Sequence, residues 1–228
     1  MNWIVRFFTS SLGQKYIMAL TGLFLISFLI VHLSGNLQLL ADDGGESFNV
    51  YAEFMSNNFI IRIISIGLYT FIILHAIQGI ILAIQNRKAK GSKYRKGEPA
   101  GATWQAKNMA LLGILVFAFL LLHMGDFWWK MRFTDELAMV TYEGRTEPVE
   151  DIYTRVHVAF QQPWIVIAYV IGVIALAFHL IHGFQSSFQS LGLNHKKYTQ
   201  FIKGFGIVFS ILLCAGFALI PIIHYLNA

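Results

Sequence analysis

Four histidines, His32, His75, His123 and His179, each lie well inside a different apolar run, and this is the chemically loaded pattern of the chain. An imidazole with no partner in hydrocarbon is costly, so an ionisable residue inside a span is a functional hypothesis by default. A neutral imidazole can bind a metal, relay a proton or hydrogen-bond to a neighbouring helix. A fifth histidine, His182, follows His179 by three residues in the run Ile165–Gly192. His157 and His195 read as loop residues and His224 as the end of the last run, so these three require no special role.

The elements that must position these side chains are membrane spans. The 228 residues are 56% hydrophobic and 13% charged, with a mean hydropathy of +0.59. A soluble domain would carry about a quarter charged residues. Apolar runs of about 20 residues recur, each enough to cross a hydrocarbon core of roughly 30 Å. Five spans are predicted: Tyr16–Gln38, Ile60–Ile84, Met109–Trp129, Pro163–Ser187 and Phe205–Tyr225. They are too long for barrel strands, so the expected fold is all-α, one membrane bundle of five helices over residues 1–228. The first run lacks a small-residue cleavage site and is kept as a mature span. The single cysteine, Cys214, excludes a disulfide and a four-thiolate iron–sulfur cluster. No Walker sequence or dinucleotide fingerprint is present.

Charge sets the orientation. The N-terminus and the second and fourth connections hold 12 of the 17 Lys and Arg: Arg6, Lys15, Arg87, Lys88, Lys90, Lys93, Arg95, Lys96, Lys107, Lys196, Lys197 and Lys203. Of the 12 acids, only Glu98 lies on that side. Positive loops stay cytoplasmic, which predicts the N-terminus inside and the C-terminus outside. The net charge of +5 is therefore a topology signal and not one for nucleic acid. The basic Gln85–Lys107 loop can also dock an acidic partner.

Depth sorts the histidines into pairs. At a rise of 1.5 Å per residue, His32 lies ~7 Å and His123 ~6 Å outward from their span midpoints. His75 lies ~4–5 Å and His179 ~6 Å toward the cytoplasm, and the two levels are roughly 10–14 Å apart. Each level thus offers two imidazoles from two helices, the axial set that six-coordinate haem iron requires when a porphyrin supplies the other four nitrogens. His182 would sit ~10 Å below the midplane, so His179 matches His75 better. Gly79 and Gly183 each follow a proposed inner ligand by four residues, where a flat macrocycle could approach the backbone. Glycine also simply eases helix packing in membranes. A polar core explains one or two such histidines, but not four at matched depths. A proton relay would usually include carboxylates, and here Asp126 stands near a span end and Glu53 outside one.

The outer connections carry pattern too. Ser47–Ser56 places Phe48, Tyr51, Ala52 and Met55 on one helical face, as in an interfacial helix. Pro148 could open a short helix with Val149, Ile152, Val156 and Phe160 on one side. Both segments also read, more simply, as caps on the bundle. Trp128, Trp129 and Trp164 fit an aromatic belt.

The segments LTGLFLISFLIVHLSGN, IILHAIQGI, LLLHMGDFW and AFHLIHGFQSSFQSLG make the chain resemble, over nearly its whole length, the single-chain, five-helix, di-haem cytochrome b subunit of succinate dehydrogenases and fumarate reductases. The resemblance implies a haem b near the cytoplasm on His75 and His179 and a second on His32 and His123. It implies a bacterial cytoplasmic membrane location, a quinone (menaquinone is the expected species), and flavoprotein and iron–sulfur subunits docked on the cytoplasmic face. The succinate site would then lie on another chain. Glu53 corresponds by position to an acidic residue at the family's outer quinone site. Some members carry a glutamate two residues before the fourth ligand; here Ala177 stands there, which tilts the expectation toward succinate oxidation. Lys15, Arg87, Trp104, Lys107 and His182 are the candidates for the inner haem's propionates. The ligands' second ring nitrogens are expected to meet a backbone carbonyl or a Ser or Thr hydroxyl. The rival readings are a cytochrome b anchor of a hydrogenase or formate dehydrogenase, and a haem-free proton relay.

Overall fold

Ser10 opens the first long helix: its hydroxyl accepts from the Gly13 N–H at 3.0 Å, satisfying one of the donors a helix start leaves free. Thr103 does the same for Ala106 at 3.2 Å, and Pro163 starts a third helix at a position where its missing N–H is no loss. In this computed structural model, which describes residues 2–89, 103–134 and 136–227, five helices are long and apolar enough to cross a membrane. Lys90, Lys93, Arg95, Lys96 and Glu98 lie outside the described residues. The chain is a multi-pass, all-α bundle apart from one two-residue hairpin ladder.

A short helix α1 (Trp3–Thr9) precedes the first span, α2 (Ser11–Asn36), which ends in a 3-10 turn over Leu37–Leu40. Helix α3 (Glu46–Asn57) crosses to α4 (Phe59–Ala89), the second span. The third span begins as α5 (Trp104–His123), widens into a π turn at Met124–Trp128 and continues as α6 (Trp129–Phe133). Strands β1 (Met139–Val140) and β2 (Val149–Glu150) pair antiparallel, with Val140 opposite Val149, and lead into α7 (Ile152–Phe160). The last spans are α8 (Pro163–Ser190) and α9 (Thr199–Leu226). All five predicted spans are present, and most helices run past the apolar limits. Hydropathy measures the apolar stretch, whereas caps such as Ser10 and Thr103 decide where hydrogen bonding starts.

Helix α8 is the axis. It packs against α2, α5 and α9, and 39% of its apolar window is buried, against 6% for α4 and for α5. Gly172 lets α5 approach it: a Cβ there would run into the Phe119 ring. Ile26, Val173, Leu180, Phe184, Leu213 and the free Cys214 fill the middle of the bundle.

Helices α3 and α7 close one end. Phe48 of α3 is buried with Ile152, Val156 and Phe160 of α7, Ile165 of α8 and Ile220 of α9. Asn49, 1% exposed, ties the cap together. Its amide donates to the Tyr142 hydroxyl at 2.7 Å and to the Asp151 carboxylate at 3.0 Å, and its carbonyl accepts from the Tyr153 N–H at 2.8 Å. The expected α7 face is buried, but Pro148 does not start the helix. Val149 is spent on the ladder, and Asp151 caps α7 by accepting from the Thr154 N–H at 3.0 Å. His157 consequently lies on a helix and not in a loop. Of the three belt tryptophans, Trp129 and Trp164 are exposed, while Trp128 turns inward and donates to the Tyr69 hydroxyl at 2.7 Å.

Candidate functional site

The four span histidines face each other in two pairs. His75 of α4 and His179 of α8 have ring centroids 6.2 Å apart, inclined at 64°. His32 of α2 and His123 of α5 have centroids 5.7 Å apart, inclined at 76°. Two imidazoles binding one metal from opposite sides place their centroids about 6 Å apart, with ~2 Å for each metal–nitrogen bond and ~1 Å from nitrogen to ring centre. His182 is one turn along α8, half-buried, and makes no ring contact with His75 among the described residues.

The surroundings of the pairs differ. At the His75 level, Thr21 of α2 lies with its Oγ1 3.1 Å from His75 Nδ1. The Thr21 hydroxyl proton already goes to the Ile17 carbonyl at 2.8 Å. The Thr21 oxygen must therefore accept, His75 Nδ1 must donate, and the His75 Nε2 lone pair is left free for a ligand's role. Gly22 makes the approach possible, since a Cβ there would stand 3.3 Å from His75 Cε1. His179 Nδ1 is buried without a hydrogen-bond partner among the described residues.

At the His32 level, aromatic rings supply the walls. Phe28 stacks on His32 at 5.1 Å, Phe119 on His123 at 5.9 Å, and Phe127 and Tyr169 approach His123 edge-on at 5.7 and 5.9 Å. The Asn36 amide nitrogen donates to the His32 carbonyl at 2.6 Å, which fixes the amide's orientation. The same nitrogen lies 3.2 Å from His32 Nδ1, so it is a donor and His32 Nδ1 accepts. That assignment puts the His32 proton on Nε2. His123 Nδ1 is buried and unpartnered among the described residues.

Next to His123, the π turn is held from two sides. Tyr169 donates to the Asp126 carboxylate at 3.2 Å, and Arg155 Nε donates to the Asp126 carbonyl at 3.3 Å. π turns disturb the regular carbonyl ladder and are frequent at functional sites, and here an outside donor meets a carbonyl within one.

The remaining predicted residues are scattered. Lys15, Arg87 and Lys107 are exposed, and Trp104 is exposed with its ring 5.6 Å from Phe178. Glu53 meets Arg145 in an ion pair at 2.8 Å, which engages one of its carboxylate oxygens. A Cβ at Gly183 would meet nothing within 4 Å, and one at Gly79 only the flexible end of Met18 at 3.5 Å, so contacts within the chain do not demand either glycine.

Several site residues escaped the sequence reading: Thr21, Gly22, Asn36, Gln14 and Gln78. Gln14, 8% exposed, has a buried amide oxygen without a partner among the described residues, and Gln78 a buried amide nitrogen in the same state. A glutamine inside an apolar run, as in IILHAIQGI, was the available signal. Among the described residues no three His, Cys, Asp or Glu side chains converge on one point. Two imidazoles per level can complete the shell of a metal whose other ligands arrive with it, but cannot alone enclose a bare ion. No protein-family model, curated protein or solved structure matches this chain.

Proposed function

We propose that the chain is the membrane anchor and electron-transfer subunit of a succinate:quinone oxidoreductase, holding two haems b. The observation that carries this reading is the presence of two facing histidine pairs, at two levels, drawn from four separate helices. The donor set fits the group: two imidazoles per level, aromatic walls at the His32–His123 level, and no third His, Cys, Asp or Glu joining either pair among the described residues. Bound haem would supply one-electron redox chemistry at each level.

The chain's residues do the rest. His75 and His179 would hold one group and His32 and His123 the other, with Thr21 orienting His75. At the outer level Asn36 would have to release His32 Nδ1, so that the His32 proton moves there and Nε2 is freed. Gln14 and Gln78, with buried unpartnered amide atoms among the described residues, and His182 would meet haem carboxylates at the basic end of the bundle. Following the distribution of Lys and Arg, that end would face the cytoplasm of a bacterium and receive the iron–sulfur and flavoprotein subunits. Glu53 and Arg145, on the opposite side, would bind the polar head of a quinone. Opening their ion pair would free the Glu53 carboxylate to exchange a proton with it.

A reduced-minus-oxidised spectrum of the purified protein with haem quantitation tests the reading. Two haems b per chain are expected, and none would leave a haem-free relay. Co-purifying flavoprotein and iron–sulfur chains separate this assignment from a hydrogenase or formate dehydrogenase anchor. Proton exchange on the outer side also makes succinate:quinone activity respond to an uncoupler. Indifference to the uncoupler would remove Glu53 from that role.

A further inference from the structure

We infer that His157 and His224 form a binding site for a divalent transition metal ion of the Zn2+ or Cu2+ class, at the capped end of the bundle and separate from the four span histidines. His157 lies on α7 and His224 in the last turn of α9, and they meet through the same ring atom, Nδ1 to Nδ1, at 3.2 Å. Two nitrogens sharing a tetrahedral zinc at ~2.0–2.1 Å stand about 3.3 Å apart. The two rings already hold that spacing.

The protonation pattern suits a metal. His224 is 4% exposed, and its Nε2 is buried without a hydrogen-bond partner among the described residues. With the proton on Nε2, His224 presents its Nδ1 lone pair to His157. Without metal, His157 Nδ1 must donate to His224, because two lone pairs at 3.2 Å would repel. His157 is only half-buried, so its proton can shift to the other ring nitrogen, which leaves both Nδ1 lone pairs free for one ion. Binding needs only this tautomer change.

The rings are fixed by packing. Tyr153 lies parallel to His157 at 6.2 Å and edge-on to His224 at 5.7 Å, and Phe160 borders His224 at 6.3 Å. No third His, Cys, Asp or Glu joins the pair among the described residues, so water completes the shell and the ion exchanges. An ion there would clamp α7 to α9.

The test is a Cu2+ titration of the purified, haem-loaded protein in detergent, followed by electron paramagnetic resonance. One ion per chain with hyperfine structure from two nitrogens is expected, displaceable by Zn2+. His157→Gln and His224→Gln should each remove one nitrogen and weaken binding at least about tenfold. His195→Gln, remote in the connection before α9, should change neither. If His224→Gln does not accumulate, His157→Gln decides alone because its side chain reaches the surface. Binding that is non-saturable, unchanged in His157→Gln, or lost in His195→Gln would overturn the site.

Discussion

The two histidine levels are alike in spacing and unlike in preparation. At the His75 level a hydroxyl whose own proton is committed sets the tautomer, so a lone pair is presented before any ligand arrives. At the His32 level an amide donor occupies His32 Nδ1, and aromatic rings hold the partner in place. Matching depth brings the rings together, but hydrogen bonds to neighbouring side chains decide whether a ring is ready to bind. Under the proposed haem reading, the His75 level would be ready to ligate, and the His32 level would have to exchange a hydrogen bond first.

The sharpest way to break this comparison is to remove the rings one at a time. His179→Ala should lose the inner haem and keep the outer one, and His123→Ala the reverse, read from haem content and the two spectral components. His182→Ala should keep both. Loss of the inner haem in His182→Ala, with retention in His179→Ala, would mean the wrong ring of α8 was paired with His75.

A smaller effect separates the levels by their preparation. Thr21→Val removes the acceptor of the His75 Nδ1 proton and should weaken inner-level haem binding about 10–100-fold, the usual cost of losing such support. Measuring haem retention during extraction reads this. Asn36→Leu should act in the opposite direction at the outer level, leaving haem retention there equal or higher. Equal losses in both variants would erase the distinction.

The smallest effect lies in the cap. Asn49→Ala leaves buried hydrogen-bonding groups of Tyr153 and Asp151 unmet and should cost about 1–3 kcal/mol of cap stability, measured as faster amide exchange over α3 and α7. Asp151 gives a pH dependence. Desolvation pushes its carboxyl upward, but hydrogen bonds from Thr154 and Asn49 outweigh it and hold the group below its ordinary value. A depressed carboxyl contributes stability that is complete above its ordinary range and disappears as pH falls through the folded value. The cap should therefore exchange no faster between pH 8 and pH 5, and loosen only below about pH 4.

The spans and the histidine depths were legible because both follow from counting along single helices. A rise of 1.5 Å per residue is the same in any bundle, so His32 and His123 could be levelled without knowing the fold. Rotation about the helix axis was not legible. Whether Thr21 meets a ring depends on how α2 turns toward α4, and the hydropathy of α2 hardly varies around its circumference. Asn36 stands one turn past His32 on the same helix, so its contact was open to the spacing alone. The meeting of His157 with His224, 67 positions apart, depends on α7 folding back over α9, and no pattern in either segment encodes that. The start of α7 was misplaced because a proline is a weaker opener than an aspartate whose carboxylate can reach a backbone N–H. The ion pair of Glu53 with Arg145 was hidden because the two residues stand 92 positions apart, with the whole of the second and third spans between them.

The π turn after His123 works as a phase shifter in the third span. Upstream, α5 keeps the phase that points His123 at His32; downstream, the wider turn re-aims Trp128 toward Tyr69 and Asp126 toward Tyr169. One residue corresponds to about 100° of helix rotation. Deleting Gly125, which has nothing within 4 Å of where a Cβ would stand, would rewind this segment. His123 would keep its aim while Asp126, Trp128 and α6 turned away from Tyr169 and Tyr69. A single codon in this span therefore sets the aim of the third span's outer turn relative to the His32–His123 pair.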